Sequence, residues 1–451
     1  MTGVLAGTGF YKVIMSFRLR FLTMITLIAV SFFSGTSIPA QGTTNFAAWK
    51  EAKNAEAVHE WTRRLLIRDF RDVSGTAREE LLAKTLSALK DIASDSDVVP
   101  STRYNAVLTA GQLVSKEASQ GNLPEAYADA LPYLIDLYQG ADSPYYLKYG
   151  ALLGIVRHAI CGIDSLRLDQ VIDLFLETIT TEYAVSEVAM ASDFATPLEP
   201  AVWDWFRQTA LDGLSALKTT GTNGNVVAAL LSVIDRKTQE IEIRCSSTDS
   251  FVQGEWEQVR RAIKLASKAA KTLGDLDYTS STDIDAKTIT DTFITLVKAV
   301  CDAEYKIAVD AVDQKRTSPD PTILIEQIVI DMKTCTQSVA WGIRCAPLPF
   351  SLTSRPADSS LYASLKNDDP ATKRLERLMS EIIEHTTFLD EGDKMNRQAA
   401  VAIQGTVSGE STGANVPKRG FKFDIMELRD ALAKLSEALS DIQRGKGSPE
   451  G

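Results

Sequence analysis

Leu81, Leu82, Leu86 and Leu89 follow one another at steps of one, four and three, with Glu79, Glu80, Lys84 and Lys90 in the positions around them. Apolar residues so spaced line one side of a cylinder with 3.6 residues per turn, so residues 76–92 are expected to form an amphipathic helix. The same period recurs along most of the chain. It predicts helices over 47–70 (stripe Trp49, Val58, Trp61, Leu65), 101–114, 124–138, 143–160, 166–180, 200–217, 226–234 and 251–273. Further helices are expected over 287–312, 321–343, 369–388, 393–403 and 424–442. Breakers stand between them: Pro100, "GNLP" at 121–124, "GADSP" at 140–144, "TTGTNG" at 219–224 and "TSPDP" at 317–321. Proline at or just before a first turn suits a helix start, where its missing N–H costs nothing. Alternating runs of strand type are almost absent, so the chain is expected to be all-α.

One apolar run is of another kind. Residues 21–33, "FLTMITLIAVSFF", follow Arg18 and Arg20 and lead into "SGTSIPA", which ends at Ala40. A positive flank, a short apolar core and a small-residue exit are the pattern of a secretory signal peptide. At 13 residues the run falls short of the ~18 that span a bilayer. The expectation is therefore export to a periplasm or the extracellular space after cleavage near Ala40, with the membrane met only in transit. Met15 is an alternative start, and no cysteine adjoins the cleavage site to carry a lipid. Loss of Lys12, Arg18 and Arg20 with the leader takes the net charge from −11 to −14.

That charge, with no long Lys/Arg run, argues against nucleic acid as a partner, because phosphate binding needs a concentrated basic face. With 45% hydrophobic and 24% charged residues the composition is that of a globular protein. The 451 residues suffice for two or three domains or one repeat array. The expected division is a leader at 1–40, a helical array at 41–275, a helical pair at 285–345 that continues or caps it, and C-terminal helices at 346–451. Within the last part, the Gly/Ser/Thr-rich stretch 405–420 is expected to be a flexible linker.

Three of the predicted helices align. "TRYNAVLTAGQL" places Arg103 three before Ala106, "LKYGALLGIVRH" places Lys148 three before Ala151, and "FRQTALDGLSAL" places Arg207 three before Ala210. Each has a proline shortly upstream, namely Pro100, Pro144 and Pro200. The alanines are 45 and 59 residues apart; the first interval fits a ~40–47-residue repeat, and "ASDFATPLEP" at 191–200 supplies an insertion for the second. These residues resemble the second helix of HEAT-like or armadillo-type repeats. The resemblance covers about residues 75–275 and implies a solenoid of helical hairpins, followed here by a less regular C-terminal helical region. In such a stack a small alanine lets helices approach to ~8–10 Å. The basic residue is expected to cap the carbonyl end of the preceding helix or to pair with an acid in the next layer. "SPYYLKYGALLGIVRHAI" at 143–160, rich as it is in reactive residues, then reads as a stacking helix, with Arg157 and His158 near its last turn.

The sharpest enzyme-like cluster is "PLEPAVWDWFRQ" at 197–208, where Asp204 lies between Trp203 and Trp205 with Glu199 upstream. Aromatic rings beside a carboxylic acid suit a sugar. Tryptophans two apart on a helix diverge by about 200°, however, so one of them is expected to face the core. Phosphate loops, dinucleotide fingerprints and nucleophile elbows are absent, and no cofactor or metal is expected. His59, His158 and His385 are scattered; Cys161 sits three residues after His158, a spacing that would let an imidazole lower a thiol pKa. Five cysteines (161, 245, 301, 335, 345) resemble no zinc signature and are expected to be buried thiols, with a Cys335–Cys345 bridge open if the chain bends back.

Ile425, Leu428, Leu432, Leu435, Leu439 and Ile442 form an a/d seam of about two and a half heptads. It is expected either to dock on the chain's own array or to pair with another protein or a second copy. The functional expectation is a non-catalytic exported scaffold that binds a protein. The alternatives are an all-α carbohydrate-active enzyme using carboxylates near Trp203–Trp205, and a structural part of an envelope assembly joined through the last helix, as a homo-oligomer or otherwise.

Overall fold

A computed structural model describes residues 46–51, 62, 65, 69–71, 73–119, 121–181, 200–246, 253–279, 285–313, 321–344, 359–364, 370–407 and 425–445. The expected signal peptide, His59, Glu199 and Cys345 lie outside the described residues. The chain divides into two units, residues 1–44 with 63–73 and residues 45–62 with 74–451. In the first, the Val73 N–H donates to the Phe70 carbonyl at 3.5 Å. All the helices described below belong to the second.

Fourteen α-helices, one short 3-10 helix (Thr222–Gly224) and one two-stranded sheet are found among the described residues. They are α1 Phe46–Glu51, α2 Gly75–Ser94, α3 Pro100–Gln112, β1 Val114–Lys116, β2 Glu125–Ala126, α4 Ala130–Gln139, α5 Tyr145–Cys161 and α6 Ser165–Thr180. After them come α7 Pro200–Leu217, α8 Asn225–Cys245, α9 Gln253–Asp275, α10 Ala286–Asp313, α11 Pro321–Arg344, α12 Leu361–Ser364, α13 Pro370–Val407 and α14 Ile425–Gln443. Pro100, Pro200, Pro321 and Pro370 each open a helix, where a fixed φ helps and no N–H is needed. Asp164 caps α6 by accepting from the Leu166 N–H at 3.1 Å. Asp285 does the same for α10, accepting from the Lys287 and Thr288 N–H groups at 3.1 Å each. None of the described helices is long and apolar enough to cross a membrane.

The all-α expectation holds, and the helices sort into two layers. In one, α3, α5, α7, α9, α11 and α13 each pack on the next. In the other, α6, α8, α10 and α14 pack in succession, while α2, α4, α6, α8, α10 and α14 cover α3, α5, α7, α9, α11 and α13 in turn. The C-terminal helices α13 and α14 continue these two layers. The physical reason is the stripe on α14: Leu428, Leu432, Leu439 and Ile442 are 0% exposed, and α10 is the main element they cover. Cys301 Sγ on α10 donates to the Leu432 carbonyl at 3.0 Å, and Ser436 Oγ to Asp302 Oδ1 at 2.5 Å. The seam from Ile425 to Ile442 is occupied within the chain.

Ala106, Ala151 and Ala210 are all 0% exposed, as small residues at helix contacts should be. The tightest approaches, however, are at glycines. A Cβ on Gly111 of α3 would stand 2.5 Å from the Gly154 Cα of α5, and one on Gly274 of α9 would stand 2.2 Å from the Trp341 carbonyl oxygen of α11.

Basic side chains reach back to helix ends. Arg103 Nε donates to the Ala93 carbonyl in the last turn of α2 at 2.8 Å, and Arg207 Nη2 to the Thr181 carbonyl just after α6 at 2.9 Å. Both cap the carbonyl end of the preceding helix. Lys148 differs, its ammonium lying 5.9 Å from the Tyr145 ring centroid. Arg236 of α8, which no motif marked, donates to the Thr180 and Ile179 carbonyls at 2.8 and 3.2 Å, and Lys306 of α10 to the Cys245 carbonyl at 3.2 Å. Two arginines from two successive helices therefore satisfy the carbonyl end of α6, where positive charge also meets the negative pole of the helix. Arg236→Ala should lower stability by ~1–3 kcal/mol and speed amide exchange in the last turn of α6. Exchange there unchanged from wild type would show that the cap contributes nothing.

Several boundaries differ from expectation. Residues 124–138 do not form one helix: Glu125–Ala126 pairs antiparallel with Val114–Lys116, and α4 starts at Ala130. The Tyr127 N–H donates to the Leu113 carbonyl at 2.9 Å, and Lys116 pairs with Glu125 at 2.5 Å. Such short strands leave no period to read. Helix α8 continues past Ile234 to Cys245 because Thr238 and Ile241 keep its buried stripe going. The expected helices 369–388 and 393–403 are one helix, α13, which runs through Gly392 into the start of the expected linker. An interior glycine costs about 1 kcal/mol but does not by itself end a helix.

Candidate functional site

Helix α7 carries the tryptophan pair, and the two rings diverge as helical geometry requires. Trp203 is 7% exposed, edge-on to Tyr145 at 5.3 Å between centroids and tilted against Phe206 at 5.2 Å. Trp205 is half-buried, so no shared sugar platform forms. Asp204 between them is buried. Its Oδ1 accepts from Arg207 Nη1 at 3.3 Å, and its Oδ2 lies 3.6 Å from Arg261 Nε on α9. Burial raises its carboxyl pKa, against the pull of Arg207, Lys237 and Arg261. With a guanidinium at each oxygen, Asp204 is placed as a bridge joining α7 to α9. Glu199, the upstream acid of the expected cluster, lies outside the described residues.

The tyrosines of the 143–160 stretch are likewise spent on packing. Tyr145 meets Trp203, Tyr146 lies under the Arg103 guanidinium at 6.0 Å, and Tyr149 packs on Phe206 at 5.1 Å. His158 is 2% exposed, and burial first, then Arg157, pushes its pKa down to about 4. It is neutral at pH 7. Burial raises the Cys161 thiol, so the imidazole three residues away does not activate it. His385 is also buried and pushed down to about 4 by that burial. Cys161, Cys245, Cys301 and Cys335 are free thiols; Cys345, the other half of the bridge left open above, lies outside the described residues. Burial pushes Cys335 up to about 12. No group of three or more His, Cys, Asp and Glu among the described residues could hold a metal ion.

The least conventional polar group sits where α9, α10 and α11 meet. Glu304 of α10 is 0% exposed, and neither carboxyl oxygen has a hydrogen-bond partner among the described residues. Asp331 of α11 is 1% exposed; its Oδ2 accepts from Arg260 Nε of α9 at 2.5 Å, while its Oδ1 is unpartnered among the described residues. Arg260 also stacks on Trp256 at 5.1 Å. Two buried carboxyls share one guanidinium. Burial first, then the Asp331 charge, raises the Glu304 pKa well above the usual carboxylate range, and burial raises Asp331 as well. Glu304 therefore holds its proton to higher pH than an ordinary carboxyl does. Neither acid was singled out above, although each stands on an apolar stripe: Glu304 between Val300 and Ala308, Asp331 between Ile328 and Cys335. An acid at a stripe position was the available signal. Compared with known proteins, the chain matches no family model, no curated protein and no solved structure.

Proposed function

We propose that the chain is exported through its first 40 residues and serves as a non-catalytic scaffold of HEAT-like helix pairs that binds another protein. The observation carrying this reading is the succession of helix pairs from α2 to α14, each stacked on its neighbours in two layers. Stacked pairs of this kind offer long continuous surfaces, and such surfaces most often serve protein recognition. The capping roles of Arg103 and Arg207 support the repeat reading. The bridging of Asp204 by two arginines favours a structural role for that acid over a catalytic one.

Two measurements on the natively produced protein test the proposal. The intact mass of the exported chain should correspond to a start at Gln41; an unprocessed chain retained in the cell would refute export. Crosslinking of the full chain should then enrich one defined protein, with its crosslinks confined to one layer of helices. Crosslinks spread evenly over both layers, or none above background, would refute the scaffold. Polysaccharide turnover lost in a folded Asp204→Asn variant would point to the carbohydrate-active alternative. Self-crosslinks concentrated on α14 would point to the assembly component.

A further inference from the structure

Helix α9 is packed against α7, α8 and α11, so only a narrow edge of it meets water. From Arg261 to Gly274 every residue of α9 is buried except Arg261, Lys264, Lys268 and Lys271. Steps of three, four and three keep these four on one side of the helix, in a row of about 15 Å. In a chain of net charge −11, the solvent edge of this helix is cationic over its whole second half. Carboxylates temper the row at two points: Arg261 Nε stands 3.6 Å from the buried Asp204, and Lys268 is paired with Asp212 of α7. Lys264 and Lys271 are exposed, and neither has a carboxylate within ion-pair distance among the described residues. Lys264 lies near Asp331, but Arg260 already holds that carboxyl. Asp275, one turn beyond Lys271, is held by Ser215 and by Trp341 Nε1. The adjoining α11 carries no acid from Met332 to Arg344. It offers apolar surface instead, for Ile330 is 55% exposed and the Trp341 ring centroid lies 5.5 Å from the Lys271 ammonium.

We propose that this row binds an acidic segment of the partner protein, with carboxylates on the ammoniums and an apolar side chain beside Trp341. The inference rests on the scaffold reading and places the partner on the layer that contains α9. An ammonium on a flexible stem is a point charge, so a row of them suits carboxylates strung along a peptide. The row is short and Asp212 stands beside it, which disfavours the evenly spaced phosphates of a nucleic acid.

The test is titration of the full chain with fluorescein-labelled deca-glutamate at low salt, beside deca-glutamine and a deoxythymidine decamer. Deca-glutamate should bind saturably and lose affinity as salt rises. Lys264→Gln/Lys271→Gln should weaken it at least about fivefold. Lys84→Gln/Lys434→Gln removes the same charge from exposed positions on α2 and α14, and should change it less than about twofold. Melting of both variants keeps the fold in view. The proposal is overturned if deca-glutamate does not saturate, if the two variants lose affinity equally, or if deca-glutamine or the decamer binds as tightly. Self-association lost in Lys264→Gln/Lys271→Gln would give the row to a second copy and likewise overturn it. In the crosslinking of the full chain, a partner attached away from α9 overturns this placement and leaves the scaffold reading standing. With no partner enriched, that reading fails and the titration still decides the row.

Discussion

Replacing Glu304 by methionine is expected to stabilise the chain, whereas replacing Asp331 by alanine should destabilise it, although both acids lie in the same joint. Glu304 is fully buried with both oxygens unpartnered among the described residues, so it carries a desolvation cost of ~1–3 kcal/mol with no bond to offset it. Methionine fills a similar volume without that cost. Asp331 instead accepts from Arg260 at 2.5 Å; removing it strands a guanidinium in the interior. The loss should be about 3 kcal/mol, the low end for a broken buried pair, since Arg260 keeps 20% of its side chain in water. Denaturant unfolding of both variants checks the signs, and equal losses in the two would refute this account of the joint.

The same joint sets a pH dependence. Because its folded-state pKa is raised, Glu304 keeps a proton that the unfolded chain releases at the ordinary value of 4.5. The folded chain then binds more protons over that interval, so stability falls as pH rises from about 4.5 through the raised pKa. His158 and His385 act at the other end. Both are pushed from 6.5 to about 4, so stability falls as pH drops through that window. Melts of Glu304→Met across pH 4–9 should show a shallower decline as pH rises, the part due to Asp331, which burial also raises, being kept along with the acid decline.

The second large effect is expected at the crossing of α9 and α11. Gly274→Ala would put a methyl 2.2 Å from the Trp341 carbonyl oxygen and 2.8 Å from the Gly342 Cα. Both are backbone atoms, so no side chain can turn aside and the two helices must part. Overpacking typically costs ~1–3 kcal/mol, and here the upper end is expected. Gly213 offers the contrast, since its added methyl would meet the Phe175 ring at 2.3 Å. That ring can be shortened, so Gly213→Ala should recover much of its loss when combined with Phe175→Leu. No substitution of a neighbouring side chain should rescue Gly274→Ala. Full stability in Gly274→Ala would mean the crossing is looser than described.

How legible this was depended on the kind of feature. Apolar stripes at helical spacing located α2, α5, α6, α7 and α11 within a few residues, because a stripe reports a buried face wherever that face goes. The small residues were found only in part. Ala106 and Ala151 are buried, but the close approach of α3 to α5 is between Gly111 and Gly154, glycines that sequence alone reads as weak points in a helix. Arg103 and Arg207 were placed by their spacing from an alanine, while Arg236 was missed because its partner carbonyls lie 56 and 57 residues away.

The chain's periodicity determined by itself that it is helical, where most helices begin, and which side of each is apolar, since these depend on neighbours within a turn or two. Which apolar face covers which was decided only by the tertiary structure. The α14 stripe suits a partner's helix and the chain's own α10 equally well on its spacing; that it is buried on α10 is seen only in the tertiary structure. The chemistry followed the same division. Asp204 between two tryptophans has the composition of a site, but its role depends on a guanidinium from α9, 57 residues on. Glu304 looks like one more surface acid until three helices close over it, and burial, a property no single stretch of sequence carries, is what makes it unusual.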